Sequence, residues 1–475
     1  MPVGLSGRIR WAWVALTLVA CTGSHDTIAG DDPDMKEPTE PGTDGGGSAL
    51  VPAAGELSYY ADIKPLVEAH CQECHTHGGI APMPLESYAD VKAWAQQIKR
   101  QVVARAMPPW TAGPDCNEYV ADRSLSDAQI DMVKRWVDAG ARAGDEKNAR
   151  SAPAKPADAE FRVDVELPMP VDYKPGRTPD DYRCFVLQWP ETAPAFVTGI
   201  GVRPGNRALL HHTVLTMATP ANAKAYLDRD NADPGPGYEC FGSGTTNGMA
   251  IEGEARAGTG MTGSTLLGAF EKAEAGQHYP YGTGVRIEPG AVIIMQQHYN
   301  SLGASAEETD RSTLQFMLEQ DVKNPGRAVW LVNPLWQSRA TRDSMKITAN
   351  NPDATVNTMS AGSSVAGRSN FDIYWADLHM HTLGSRGKLE VVRANGKREC
   401  LLRVDDWKFE WQSTYFLKNP VSMGPGDSLY LECHWDNTAD NQYIVDGQRL
   451  PVQDVWWGDG SRDEMCLGNF LVVPR

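Results

Sequence analysis

The period of the hydrophobic pattern changes near residue 160. Between 57 and 147, apolar positions recur at helical spacing. "YADIKPLVEAHC" carries them at 63, 66 and 67, and "SYADVKAWAQQIKRQVV" repeats the pattern. "LSDAQIDMVKRWVDAGA" opens with Ser126 and Gln129 in the S-x-x-Q order of a capping box and stops at Gly140. This predicts a small all-α unit over 57–150. From about 161 the runs become short, alternating or β-branched: "FRVDVEL", "CFVLQW", "HHTVLTM", "VRIEPGAVIIMQQHY", "KLEVVR", "SLYLECHW", "NFLVVP". Gly, Pro, Asn and Asp separate them, a β-sandwich texture. The stretch is too long for one small sandwich, so two all-β sandwiches are expected. Residues 21–56 and 151–160, rich in Pro, Gly, Ala and acids, read as a disordered tether and a linker.

The N-terminus points to export. Arg8 and Arg10 precede an apolar run from Trp11 to Ala20, followed by Cys21. The run is too short to span a bilayer and has the layout of a signal peptide over 1–20. "LVAC" resembles a bacterial lipobox, which implies lipidation of Cys21. A plain signal peptide followed by a chance cysteine is the alternative. A lipid anchor would hold the protein on a membrane, and Thr22 favours the periplasmic side of the outer membrane or the cell surface. Disulfides can persist there.

Composition narrows the partners. The 475-residue chain has 41% hydrophobic and 22% charged residues, enough to bury cores. Its formal net charge of −17 argues against nucleic acid.

"HCQECHTHGG" contains Cys71, Cys74 and His75, the C-x-x-C-H arrangement. Two thiols at this spacing can form thioethers to haem vinyl groups, with the next histidine on the iron. A redox dithiol or half a zinc site competes, but the chain has no second C-x-x-C. Met107 in "ARAMPPW" is the candidate sixth ligand, against the plainer reading of a buried structural methionine. The segment resembles class I-type c cytochromes.

The β part holds His211 and His212 in "LLHHTVL", His298 in "MQQHYN", and His379 and His381 in "DLHMHTLG". Adjacent side chains diverge on a regular strand, so His211 and His212 share an ion only at a strand end or through different ring nitrogens. His379 and His381 share a face. Any one of these alone reads as a packed or surface histidine.

Together with "GSRDEMCLGNFLVV", these motifs resemble, in order and spacing, the copper type II ascorbate-dependent monooxygenases, the peptidylglycine α-hydroxylating and dopamine β-monooxygenase type. The resemblance covers about 165–475. It implies an N-terminal sandwich over 161–325 and a C-terminal one over 326–475, both jelly-roll-like. It implies one copper on His211, His212 and His298 that stores and passes an electron. It implies a second on His379, His381 and Met465, where O₂ meets substrate. A thioether favours Cu(I) and is a poor zinc ligand, which weighs against a zinc hydrolase. The resemblance also pairs Cys433 with Cys466; the pairing of Cys116, Cys184, Cys240 and Cys400 stays open. Where the peptide-hydroxylating members hold a substrate carboxylate with arginine, this chain has Asp377. Leu467 and Asn469 stand where those members have asparagine and tyrosine. Asp377 is therefore a candidate substrate residue for a cationic or neutral molecule, or simply a turn or ion-pair residue.

The implied activity is copper-dependent hydroxylation of a C–H bond of a small organic substrate with O₂. Electrons would come from ascorbate or through the fused haem c, itself served by a redox donor protein. The alternative is a non-catalytic copper and haem carrier or redox sensor.

Overall fold

In the computed structural model the described residues are 57–77, 81, 83–120, 122–153, 161–176, 180–240, 264–271, 276–300, 307–338, 340–409, 411–445, 448–458 and 462–475. The signal-like run, Cys21 and the tether over 1–56 lie outside them. Among the described residues no helix is long and apolar enough to cross a membrane.

The molecule is mostly β-sandwich sheets with few helices. The helical part holds Lys64–His70, Tyr88–Ala93, Ala95–Val103 and Asp127–Asp138. The last begins as its pattern predicts. Ser126 Oγ accepts from Gln129 N, and Gln129 Oε1 accepts from Ser126 N at 2.8 Å. Such a cap contributes about 1 kcal/mol. Gly140, just past the helix, has φ +92°, a left-handed conformation that a side chain would strain. Tyr59, Ile63, Val91 and Trp136 form the centre of a separate small core.

Two β layers carry the histidines. A five-stranded sheet runs in the order Tyr238–Glu239, Asp180–Gln188, Val292–Asn300, Leu210–Ala218, Ser264–Glu271. A nine-stranded sheet contains Thr283–Ile287, then Asn324–Leu331, Leu467–Pro474, Phe371–His379 and Tyr415–Met423 as neighbours. Asn324–Leu331 pairs parallel to Thr283–Ile287 on one side and antiparallel to Leu467–Pro474 on the other. One hydrogen-bonded layer thus runs through both halves of the β part, and one apolar core lies along it. A four-stranded sheet of Ala354–Ala361, Ser428–Trp435, Gly384–Val392 and Arg398–Val404 completes the C-terminal half.

Three disulfides brace this framework: Cys116–Cys400, Cys184–Cys240 and Cys433–Cys466. The first ties the connection between Ala95–Val103 and Asp127–Asp138 to the C-terminal half. Around it, residues 110–120 join two β edges. Ala112 bridges to Val404 and Tyr119 to Leu417. Gly113 N donates to Arg403 O at 2.7 Å, and Val120 N donates to Phe416 O at 2.7 Å. Ala112 and Tyr119 belong to the β core, not to the helical one.

Candidate metal centre

A bulge resolves the problem of the adjacent histidines. Along Leu210–Ala218, Leu210 pairs with Tyr299 and His212 with His298, so two steps on one strand meet one step on the other. His211 is the extra residue. A bulge breaks strict alternation and re-aims side chains. The His211 side chain lies outside the described residues.

His212 and His298 face each other. Their Nδ1 atoms are 3.3 Å apart and their ring centroids 4.7 Å. Two imidazole nitrogens bound at about 2.0–2.1 Å to one ion at a near-tetrahedral angle stand about 3.3 Å apart. The separation therefore fits two donors on one metal. His298 is buried, and Tyr182 stacks on its ring at 4.2 Å with 9° between planes.

The second pair sits where Phe371–His379 ends. The His379 and His381 rings are 5.2 Å apart. Gln412 Nε2 donates to Phe409 O at 2.9 Å, which leaves Gln412 Oε1 to accept from His379 Nδ1 at 2.6 Å. His381 Nδ1 donates to Asp463 O at 3.0 Å. Both acceptors assign the proton to Nδ1, so both Nε2 atoms carry the lone pair a metal needs. Burial, then the neighbouring His381, pushes His379 down to about 3, so its ring stays neutral at any ordinary pH.

The sheet register runs toward Met465. Asp377 pairs with Asn469 and His379 with Leu467; the same register carried two residues on matches His381 with Met465. Met465 is 4% exposed. Cys466, next to it, is bonded to Cys433. Glu464, before it, is fully buried and ties the two loops together. Its carboxylate accepts from His381 N at 2.8 Å, Leu383 N at 2.7 Å and Trp435 Nε1 at 2.7 Å, and from the backbone N–H of Met465. Burial pushes this carboxyl up to about 8 against those hydrogen bonds.

Among the described residues no three His, Cys, Asp or Glu side chains gather in one cluster. Each histidine group is an imidazole pair, and the third donors expected from the sequence are Met465, a thioether, and His211, whose side chain is outside the described residues. Two neutral imidazoles with a thioether suit copper better than zinc.

Phe409 lies between the pairs. Its ring centroid is 6.5 Å from that of His212, 6.1 Å from His298 and 6.2 Å from His381. The last two distances bound the gap between His298 and His381 at their sum. Phe409, Gln412, Tyr182 and Glu464 escape sequence reasoning. Only Glu464, abutting Met465, offers a signal.

Asp377 is buried and accepts from Asn469 Nδ2. Burial pushes its carboxyl up to about 6. Asn469 Oδ1 is buried without a hydrogen-bond partner among the described residues.

Cys71 and Cys74, just past Lys64–His70, are the cysteines outside disulfides among the described residues. His75 Nδ1 donates to Met83 O at 3.0 Å, which again frees Nε2. Burial pushes the Cys71 thiol up to about 12, the reverse of an activated redox dithiol. Met107 is half-buried, three residues before Trp110.

Residues 338–472 match the family model of the copper type II ascorbate-dependent monooxygenase, C-terminal domain. The chain is similar to DBH-like monooxygenase protein 1 of Homo sapiens, 22% identical over 280 residues, 58% of this chain and 41% of that protein. It is similar to dopamine beta-hydroxylase of Equus caballus, 29% identical over 107 residues, 22% of this chain and 16% of that protein. The chain thus spans well under half the length of the curated relatives it matches. The stretch that matches the copper type II ascorbate-dependent monooxygenase C-terminal domain contains His379, His381 and Met465, and the relatives are monooxygenases and hydroxylases by name.

Proposed function

We propose that the protein hydroxylates a C–H bond of a small organic molecule with O₂, using copper on His379, His381 and Met465. A second copper, on His211, His212 and His298, holds an electron for the reaction. The observation that carries this reading is the pair of Nδ1–H hydrogen bonds at His379 and His381. They leave both Nε2 atoms with the lone pair a metal needs, and Glu464 ties the backbone of His381 to that of the buried Met465. Copper bound there would supply O₂ binding and the power to attack an unactivated bond. One oxygen atom would enter product and the other leave as water, with two electrons added.

The chain's own residues set the conditions. Gln412 and Asp463 O hold the imidazole tautomers, Glu464 holds the loops of His381 and Met465 together, and Phe409 fills space between the two pairs. Asp377 and Asn469 place polar atoms on the His379 face, and we assign them to recognition of a cationic or neutral substrate. Comparing turnover of an amine and its acetylated form in wild type and Asp377→Asn tests that role. An unchanged ratio removes it.

Electrons arrive, in this reading, through a haem c joined to Cys71 and Cys74 with His75 and Met107 on the iron, or from ascorbate. The C-x-x-C-H order, with neither cysteine in a disulfide, and the Nδ1–H bond that leaves His75 Nε2 with its lone pair support the haem. Three disulfides support an oxidising compartment, in line with an exported lipoprotein anchored at Cys21.

Incubating copper-loaded protein with a lysate under ¹⁸O₂ tests the function. Products gaining one ¹⁸O atom are expected. Metal-loaded protein that yields none over a broad lysate would leave a carrier or sensor instead of an oxygenase.

A further inference from the structure

Residues 110–120 follow Met107 directly, yet they pack into the C-terminal β half. Trp110, Tyr119 and Tyr415 form an aromatic cluster there. Ring centroids are 5.0 Å apart for Trp110 and Tyr415, 5.3 Å for Tyr119 and Tyr415, and 6.0 Å for Trp110 and Tyr119. Thr111 Oγ1 and the Tyr415 hydroxyl lie 2.7 Å apart, and Tyr119 OH donates to Leu401 O at 3.0 Å. Cys116–Cys400 locks the arrangement covalently.

The strands that receive this segment, Arg398–Val404 and Tyr415–Met423, flank along the chain the stretch that reaches the imidazoles. Between them stand Trp407, Phe409 and Gln412. Trp407 Nε1 donates to His381 O at 3.0 Å. Gln412 holds His379, and Phe409 touches both imidazole pairs. Tyr415 is three residues beyond Gln412 and pairs with Ala376, on the strand that ends in His379. Tyr119, Tyr415 and Trp407 share one apolar core, and Trp110, three residues past Met107, packs against it. The segment sets two aromatic rings, Trp110 and Tyr119, against Tyr415 at this edge, more than a plain linker needs.

We propose that the Trp110–Tyr119–Tyr415 cluster, with Trp407, Phe409 and Gln412, is the route by which electrons pass from the haem segment to the copper-binding imidazoles. The inference rests on the haem and copper reading above. Each transfer moves one electron. Haem iron goes from Fe(II) to Fe(III) and one cupric ion becomes cuprous, with no bond made or broken. The route enters through the C-terminal half, and Phe409 gives it contact with His212 and His298 as well.

The test uses the full-length oxidised protein carrying haem and copper, without O₂. A flash-generated one-electron reductant reduces the haem. Its reoxidation is followed optically, and loss of the Cu(II) signal by freeze-quench EPR. Trp110→Leu and, separately, Tyr415→Leu are expected to slow haem reoxidation at least tenfold. Trp110→Phe and Tyr415→Phe, which keep a ring, are expected to stay within about threefold of wild type. Oxygen uptake driven by ascorbate is expected to be unchanged in all four. Haem reoxidation at the wild-type rate in either leucine variant overturns the route and leaves the haem and copper reading standing. A wild-type protein whose haem stays reduced beside persistent Cu(II) overturns the haem relay and the route with it, and leaves ascorbate as the donor.

Discussion

Gln412 decides which nitrogen of His379 faces outward. Its amide nitrogen is committed to Phe409 O, so its oxygen receives the His379 Nδ1–H and Nε2 is left with the lone pair. A single glutamine, 33 residues along the chain from the histidine, thus sets the tautomer of one imidazole of the second pair.

Removing that partner frees the ring to flip. Gln412→Ala is expected to weaken copper binding at the His379 and His381 centre by about 10- to 100-fold, the usual effect of losing a ligand's hydrogen-bond partner. Gln412→Glu, which keeps the acceptor, should lose far less. Competition with a Cu(I) chelator measures this, and the EPR signal of the His212 and His298 centre serves as the internal control. Equal affinity in wild type and Gln412→Ala would remove the glutamine from this role.

Glu464 is expected to matter first for stability. Glu464→Leu leaves the N–H groups of His381, Leu383 and Met465 and the Trp435 indole buried and unpaired. Each such group costs about 1–3 kcal/mol, so a loss of at least about 3 kcal/mol is expected in denaturant unfolding of the metal-free protein. A loss under about 1 kcal/mol would show that the loops hold without it.

The capping box at Ser126 and the strand before His379 were legible in the sequence because their causes are local: a hydrogen bond three residues long, a run of β-branched and aromatic side chains. The ligand motifs were legible through resemblance. The bulge at His211 was not, because a register shift is set by the partner strand Val292–Asn300. Phe409 and Gln412 stand in a loop with no periodicity, and only the closing of two sheets brings them to the imidazoles. Cys116–Cys400 closes a separation of 284 residues, which no local pattern encodes.

Cys116→Ser with Cys400→Ser tests that closure. A disulfide typically contributes about 2–4 kcal/mol, and long loops lie at the upper end in the chain-entropy account. The double variant should unfold at lower denaturant by that amount and become sensitive to proteolysis within 104–125. Copper content should not change. Wild-type stability and protection would mean that the bridges at Ala112 and Tyr119 suffice.

Asp427 gives the C-terminal half an acid limit. Burial raises its carboxyl, but Gly424 N, the Arg393 guanidinium and Ala394 N outweigh that, so its folded pKa is lowered. A lowered folded pKa adds stability above the unfolded value of about 3.9, and that stability is lost as pH falls through the folded value. Asp427→Asn should therefore cost about 2 kcal/mol at pH 7. The gap to wild type should shrink as pH falls below about 4. A gap that stays constant from pH 7 to pH 3 would contradict the assignment.

The most direct measurement is X-ray absorption on the copper-loaded, fully reduced protein, with Met465→Ile beside it. Wild type should hold two coppers per chain, with sulfur scattering equivalent to one thioether for every two coppers. Met465→Ile should lose that sulfur while His212 and His298 keep their metal. Sulfur scattering that survives in Met465→Ile, or a wild-type protein that takes up only one copper, would contradict the two-centre account.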